Sequence, residues 1–430
     1  MRMHPDPGSP WRVRGFRTLF TASALSHLGT NVGYVAIPLL AVTVLDATPG
    51  QAGALAALST AAFLLIGLPA GAWVDRLPGR RILVAADAAR AALFASVPVA
   101  WYLDALSLPQ LYVVVLLNGC ATVFFDVGSQ SILPELVGRE RLVPANTAVV
   151  SLMAGANIAG RGAGGLLVQL LTTPLAVLGA AVAYLAAAIG LVGVRSPGAR
   201  AAAPAGRRLR DDIAEGLRHV FGSRELRALA LTATLSNLGA QMINAMLPVL
   251  FTRDLGLSAG TLGLYWAVGG AGILLGATCA RRLAARFGHG RALGLAGLWF
   301  APAGVAVGLV GHGPWLWVAT AGWLATTTRI GVDNVLGVSL RQRLTPDALL
   351  GRMNATFRFL LTGALAVGSA LAGLIGELAG VRAAVWAGAV CLTAAFLPVL
   401  CSPLRTLREL PSAPVVRPPG SGAPTAASQS

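Results

Sequence analysis

Ser26-His27-Leu28-Gly29 lies inside the first long apolar run of this 430-residue chain, and Ser236-Asn237-Leu238-Gly239 repeats it 210 residues later, with Pro38 recurring as Pro248 at the same offset. A third pair falls close to that spacing. Arg141-Leu142-Val143-Pro144-Ala145-Asn146 follows the fourth apolar run and Leu349-Leu350-Gly351-Arg352-Met353-Asn354 follows the tenth, an offset of 208. A near-constant offset at three places marks two halves of common design. Two repeated bundles joined by a polar loop, rocking about a site between them, is the architecture of a membrane transporter, and a receptor or membrane-embedded enzyme has no reason to duplicate in this way.

Working outward from the repeat, the apolar runs predict twelve membrane-spanning helices, at about 18–45, 51–74, 82–103, 109–133, 146–171, 174–194, 228–252, 259–280, 291–311, 315–340, 354–376 and 381–402. Each is near the roughly 20 residues that a spanning helix needs. The composition agrees: 55% of residues are hydrophobic and 12% charged, about half the charge of a soluble domain, and the mean hydropathy is +0.70. Gly contributes 52 residues, as membrane helices tolerate. A soluble enzyme, a disordered chain and a disulfide-stapled secreted domain are excluded. Cys120, Cys279, Cys391 and Cys401 lie in or at the end of apolar runs without metal-ligand spacing, and read as small buried hydrophobes. No nucleophile–base or metal constellation is present, so the expectation is a protein that is not an enzyme and needs no cofactor and no metal.

The formal charge of +16 comes from 33 arginines, without a single lysine. Its placement explains it. On the N-terminal side of the predicted spans lie 27 arginines, including Arg76, Arg80, Arg81, eight across 195–227 and four at 281–291; the other side carries only Arg253 and Arg382. The positive-inside rule puts the arginine-rich side in the cytoplasm, so both termini are expected there, in a multi-pass protein of the plasma (inner) membrane, and a nucleic-acid partner is not needed to account for the charge. The expected organisation is a cytoplasmic N-terminal tail (1–17), a six-helix bundle (18–194), a cytoplasmic linker with an amphipathic helix (195–227), a second six-helix bundle (228–402) and a disordered cytoplasmic tail (403–430). The first apolar run, about 25 residues, is too long for a cleaved signal peptide.

The loop after the second run reads Gly71-Ala72-Trp73-Val74-Asp75-Arg76-Leu77-Pro78-Gly79-Arg80-Arg81. It resembles the G-x-x-x-D-[RK]-x-G-R-[RK]-[RK] signature of the major facilitator superfamily, matching at Gly71, Asp75, Arg76, Arg80 and Arg81, with Pro78 and Gly79 in place of the usual Gly and Arg. Asp87-Ala88-Ala89-Arg90, Ser129-Gln130-Ser131-Ile132-Leu133-Pro134-Glu135-Leu136-Val137, Leu209–Arg218 and Leu340–Asp347 are similar to the enterobactin-exporter and macrolide-efflux-like branch. The resemblance spans about 16–402. It implies an all-α membrane protein of the major facilitator fold and secondary export of a small organic molecule (a drug, siderophore or secondary metabolite), with proton antiport. The expected partners are therefore a small-molecule substrate, protons and the lipid bilayer, and the expected state a monomer. Asp75, with Arg76, Arg80 or a neighbouring helix end, can latch the halves on the cytoplasmic side in one state and release them in the other; plain positive-inside decoration is the alternative. In the fifth run Gly160-Arg161-Gly162-Ala163-Gly164-Gly165 keeps the glycines of the G-P-x-x-G-G antiporter stretch, which permit close helix packing, but has Arg161 where that stretch has Pro.

Ionisable residues within spans are functional candidates by default. Asp126 in the fourth run and Asp333 in the tenth stand at equivalent positions, 207 apart, in helices that the resemblance places around the cavity, and either can carry a coupling proton. Arg329 and Asp333, at i and i+4, can also form a local ion pair. Asp87 and Arg90, read as lying near the cytoplasmic surface, can neutralise each other or join the loop latch, and Arg358 can snorkel. His27, Asn31 and Tyr34 in the first run and Asn237, Gln241 and Asn244 in the seventh form polar stripes at helical spacing, as a substrate cavity requires. Hydrogen bonding that only holds the bundle is the other reading of the stripes, and His27 reads as structural before it reads as a proton carrier. Arg161 and Arg329 complete the expected cavity lining. Direction is not written in the fold, so an importer or facilitator stays open, as does a non-transporting sensor or scaffold, although neither tail has room for a sizeable fused domain.

Overall fold

The computed structural model describes residues 9–74, 77–194 and 209–406. Among these the protein is helical, with no strand. The long helices are α1 (Arg14–Thr43), α2 (Pro49–Val74), α3 (Gly79–Tyr102), α4 (Leu108–Val137), α5 (Leu142–Leu170), α6 (Thr173–Val192), α8 (Arg224–Val249), α9 (Ala259–Phe287), α10 (His289–Gly308), α11 (Pro314–Arg343), α12 (Leu350–Ala379) and α13 (Val381–Ala394). A shorter amphipathic helix, α7 (Leu209–Gly222), lies within the arginine-rich 195–227 stretch, and α14 is one turn (Leu397–Leu400). Ten helical stretches among the described residues are long and apolar enough to cross a membrane.

Several helices outrun the apolar pattern. α4 extends to Val137 and α9 to Phe287, because helical hydrogen bonding continues past the hydrocarbon into the polar loops, where hydropathy falls but helix propensity does not. The last run, expected unbroken over 381–402, is interrupted after Ala394 and resumes at Leu397. Its neighbour is joined to it through a single residue, Gly380, at φ +92°, a left-handed conformation that glycine adopts without a Cβ penalty. Pro38 and Pro248, the repeated prolines, both lie inside helices, and a π-helical turn (Leu250–Asp254) follows Pro248.

In hydrocarbon there is no hydrophobic drive between helices, so close approach of small residues holds them together. A Cβ on Gly165 of α5 would sit 2.7 Å from the Gly263 Cα of α9, and one on Gly239 of α8 would sit 2.6 Å from the Gly388 carbonyl oxygen of α13. Gly53 of α2 packs on Gly373 of α12, and Gly276 of α9 on the Thr328 carbonyl of α11. The glycines flanking Arg161 serve two neighbours: Gly160 and Gly164 meet Asn31 and Val32 of α1, while Gly165 meets α9. α5 is thereby wedged between a helix of the first repeat and a helix of the second. An apolar cluster also joins the repeats, with Val35, Leu39, Val42 and Ala52 packed among Met246, Leu250, Phe251 and Leu262.

Candidate functional site

Along the line where the two repeats meet, four helices bring one polar and aromatic side chain each. The Arg161 guanidinium of α5 lies over the Tyr34 ring of α1, 4.2 Å from its centroid. Tyr34 meets Trp266 of α9 edge to face at 5.1 Å. Trp266, almost wholly buried, donates from Nε1 to Asn244 Oδ1 of α8 at 2.8 Å. Arg161, Tyr34 and Asn244 are thus brought together from distant positions, and Trp266 completes the group. The rest of each stripe is spent differently. Asn31 Nδ2 donates to the His27 carbonyl and Asn237 Nδ2 to the Ala233 carbonyl, both at 2.9 Å within their own helices. Gln241 Nε2 donates to Ser369 Oγ of α12 at 2.9 Å, and the His27 ring lies edge-on to Phe125.

Two further networks stand apart from that line, and the repeated serines anchor both. Ser26 Oγ donates to Asp87 Oδ1 at 2.9 Å and accepts from Arg90 at 2.8 Å; Arg90 and Asp87 pair at 3.0 Å. Arg90 also donates to Tyr184 at 2.9 Å and to Thr30, with its guanidinium 4.0 Å over the Tyr184 ring. Asp87 is 0% and Arg90 1% exposed. α3 begins at Gly79, which carries both residues two to three turns in, enclosed by α1 and α6, where they pair with each other as their spacing allows. In the second repeat Ser236 accepts from Arg329 at 3.0 Å, and Arg329 pairs with Asp333 at 2.9 Å. The pair anticipated at i, i+4 forms, with Asp333 lining a cleft that Thr232, Asn237, Asn334 and Arg341 also line. Tyr184 and Thr30 have no signal in the sequence that singles them out. Ser26 and Ser236 do, since they open the repeated tetrapeptide.

Asp126 on α4 is half-buried. Arg90 and Arg358 lie within electrostatic reach of it. Arg358 of α12 is exposed and stacks on Phe63 of α2 at 4.1 Å, so this interaction also crosses between the repeats.

At one end of the molecule polar ties join the repeats. Arg253, in the π-helical turn after α8, donates to the Ala47 carbonyl at 2.8 Å and the Val42 carbonyl at 3.0 Å and pairs with Asp46 at 3.3 Å. Glu377 of α12 accepts from the Gly50 amide at the start of α2 at 2.8 Å. At the opposite end Arg80 donates to the Val192 carbonyl of α6, within its own repeat, and Arg81 is exposed. Asp75 and Arg76 lie outside the described residues, and Gly71 falls in the last turn of α2. Glu215 of α7 pairs with Arg352 of α12 at 2.7 Å. No group of three or more metal-ligating side chains occurs among the described residues.

A family model described as transmembrane secretion effector matches residues 6–422. The chain is 26% identical over 378 residues to the enterobactin exporter EntS of Escherichia coli O127:H6 (strain E2348/69 / EPEC), covering 84% of this chain and 85% of that protein. Among solved structures, it is similar to a bacterial homologue of the iron transporter ferroportin in an inward-facing state (TM-score 0.73, 17% identity, 91% of this chain and 99% of that one). It is also similar to the nucleoside transporter NupG (0.74, 11%, 90% and 98%) and to an inward-facing bacterial homologue of the lysosomal transporter Spinster (0.70, 15%, 91% and 97%). At these identities the structures speak for the fold.

Proposed function

Because the chain belongs to the transmembrane secretion effector family of major facilitator transporters, and is a multi-pass membrane transporter rather than an enzyme, we propose that it exports a small organic molecule by proton antiport through alternating access. In this reading α8 and α11 join the ten apolar helices as spans, making twelve. At 26 and 30 residues they are about 39 and 45 Å long at 1.5 Å per residue, ample for the hydrocarbon core. Their hydropathy is lowered by the polar residues they carry, Asn237, Gln241 and Asn244 on one and Arg329 and Asp333 on the other. The spans form two six-helix bundles, α1–α6 and α8–α14, with both termini and the 195–227 linker in the cytoplasm of a monomeric inner-membrane protein.

The observation that carries the reading is the group Arg161, Tyr34, Trp266 and Asn244, built from both repeats. The polar ties of Arg253 and Glu377 lie at the end that the arginine count assigns to the outside, which supports an inward-facing conformation. Export direction is supported by the exporter relative. Asp126 is the first choice for the coupling proton: its carboxylate has no hydrogen-bonded partner among the described residues, unlike that of Asp333, which is held by Arg329. Asp75 and the arginines after it form the cytoplasmic latch of the outward-facing state.

The test is accumulation profiling of small molecules in cells with and without the protein, with and without a proton uncoupler. Export requires lower cellular levels of a substrate with the protein present and loss of that difference on uncoupling. Higher cellular levels reverse the direction to import. Asp126→Asn is expected to abolish uphill export driven by a pH gradient and to leave downhill exchange measurable; a mutant that still concentrates substrate moves the role to Asp333.

A further inference from the structure

Four arginines lie more than two residues inside the ends of the long apolar runs, and three of them have an acidic counterpart. Arg90 has Asp87 at 3.0 Å, Arg329 has Asp333 at 2.9 Å, and Arg358 lies within electrostatic reach of Asp126. Arg161 differs. Its contact among the described residues is the face of Tyr34, and its buried Nε has no hydrogen-bond partner. A guanidinium carries five N–H donors and no acceptor. A charge at this depth is costly unless it is paired, and side chains that bear it mark substrate or ion pathways.

A cation–π contact contributes about 0.5–2 kcal/mol and does not neutralise the charge. It does, however, fix the guanidinium plane. Tyr34 is itself fixed by Trp266, and Trp266 by its bond to Asn244. Arg161 is thus positioned by α1, α8 and α9 together, and among the described residues no acid pairs with it. One turn earlier on α5, Asn157 has a buried Oδ1 without a hydrogen-bond partner, beside Gly270 of α9, where a Cβ would come within 2.8 Å of it. Donors and an acceptor therefore lie one turn apart on α5.

We infer that the transported molecule is an organic anion, its acidic group held by Arg161 and its apolar body resting against the Tyr34–Trp266 pair between the two repeats. The inference rests on the reading of this line of contact as the transport site. A planar oxyanion such as a carboxylate matches the guanidinium fork with two parallel hydrogen bonds, and a neutral isostere leaves those donors unmet. The neighbouring Asn157 acceptor suits a hydroxyl or amide N–H on the same molecule.

The test uses purified full-length protein in detergent and four probes, benzoate, 2-naphthoate, indole-3-acetate and 4-phenylbutyrate, each beside its own carboxamide, with binding measured by equilibrium dialysis. At least one carboxylate is expected to bind more tightly than its amide. Arg161→Gln is expected to weaken that carboxylate by about 10–100-fold and to leave the amide within about twofold. Arg161→Lys, which keeps the charge but loses the fork, should recover part of the difference and guards against a folding defect in the Gln variant. Equal binding of acid and amide, an acid preference that survives in Arg161→Gln, or no binding of any carboxylate overturns the inference. Arg161-dependent binding of a carboxylate that cells do not export leaves the anion site standing and removes the export reading instead.

Discussion

Arg90→Met removes the centre of a polar network whose ion pair is almost wholly buried. The variant loses the bonds to Ser26 at 2.8 Å, Asp87 at 3.0 Å and Tyr184 at 2.9 Å, the bond to Thr30, and the stacking on Tyr184. What it leaves is worse than what it removes. Asp87 is 0% exposed, and without Arg90 its carboxylate keeps a single donor, the Ser26 hydroxyl. Its other oxygen, Oδ2, already has no partner. Removing one member of a buried ion pair costs about 3–5 kcal/mol, whereas replacing both by apolar residues is often close to neutral. At the roughly 2–4 °C per kcal/mol seen for folds of 150–250 residues, Arg90→Met is expected to lower the apparent melting temperature by about 6–20 °C. Asp87→Leu combined with Arg90→Met should recover more than half of that loss. The assay is fluorescence-detected size exclusion of detergent-solubilised protein after heating at one fixed rate, since membrane-protein unfolding is read as a rate-dependent transition. A double variant that melts as low as the single one, or a single variant that melts like the parent, refutes the argument that an uncompensated carboxylate dominates.

Gly276→Val places a Cβ against the Thr328 carbonyl oxygen and 2.9 Å from the Val332 nitrogen; overpacking of this kind costs about 1–3 kcal/mol or more, and the monodisperse fraction after solubilisation should fall, whereas Gly155→Val, which meets nothing within 4 Å, should not change it. Arg253→Ala with Glu377→Ala removes the polar ties at the end we assign to the outside. A cysteine at Gln241, in a background without the four native cysteines, is expected to react several-fold faster with an impermeant maleimide added from outside, and an unchanged rate rejects those ties as a gate. Asp75→Asn should leave the amount of protein in the membrane near normal and slow transport; unimpaired transport reduces the loop signature to decoration.

The sequence by itself determined the all-helical membrane class and the repeat, because a backbone in hydrocarbon must satisfy its hydrogen bonds internally and so writes each span as a long apolar run. It also singled out three of the four side chains that meet along the contact line, since Tyr34, Arg161 and Asn244 stand out as polar groups on apolar helices. Ser26 and Ser236 were visible as repeat members, but nothing local distinguishes a serine that bonds an ion pair in another helix from one that fills space. Pairing was decided by tertiary structure alone. Arg90 finds Asp87 on its own helix and Tyr184 on α6, 94 residues away, while Arg161, one helix from Asp126 in the chain, is turned instead onto Tyr34. The reason is geometric: helical periodicity states which residues share a face, and the rotation of that face against its neighbours is set by where glycines let two backbones touch, as at Gly165 and Gly263. A side chain's partner is therefore a property of the packed helices and not of the span that carries it.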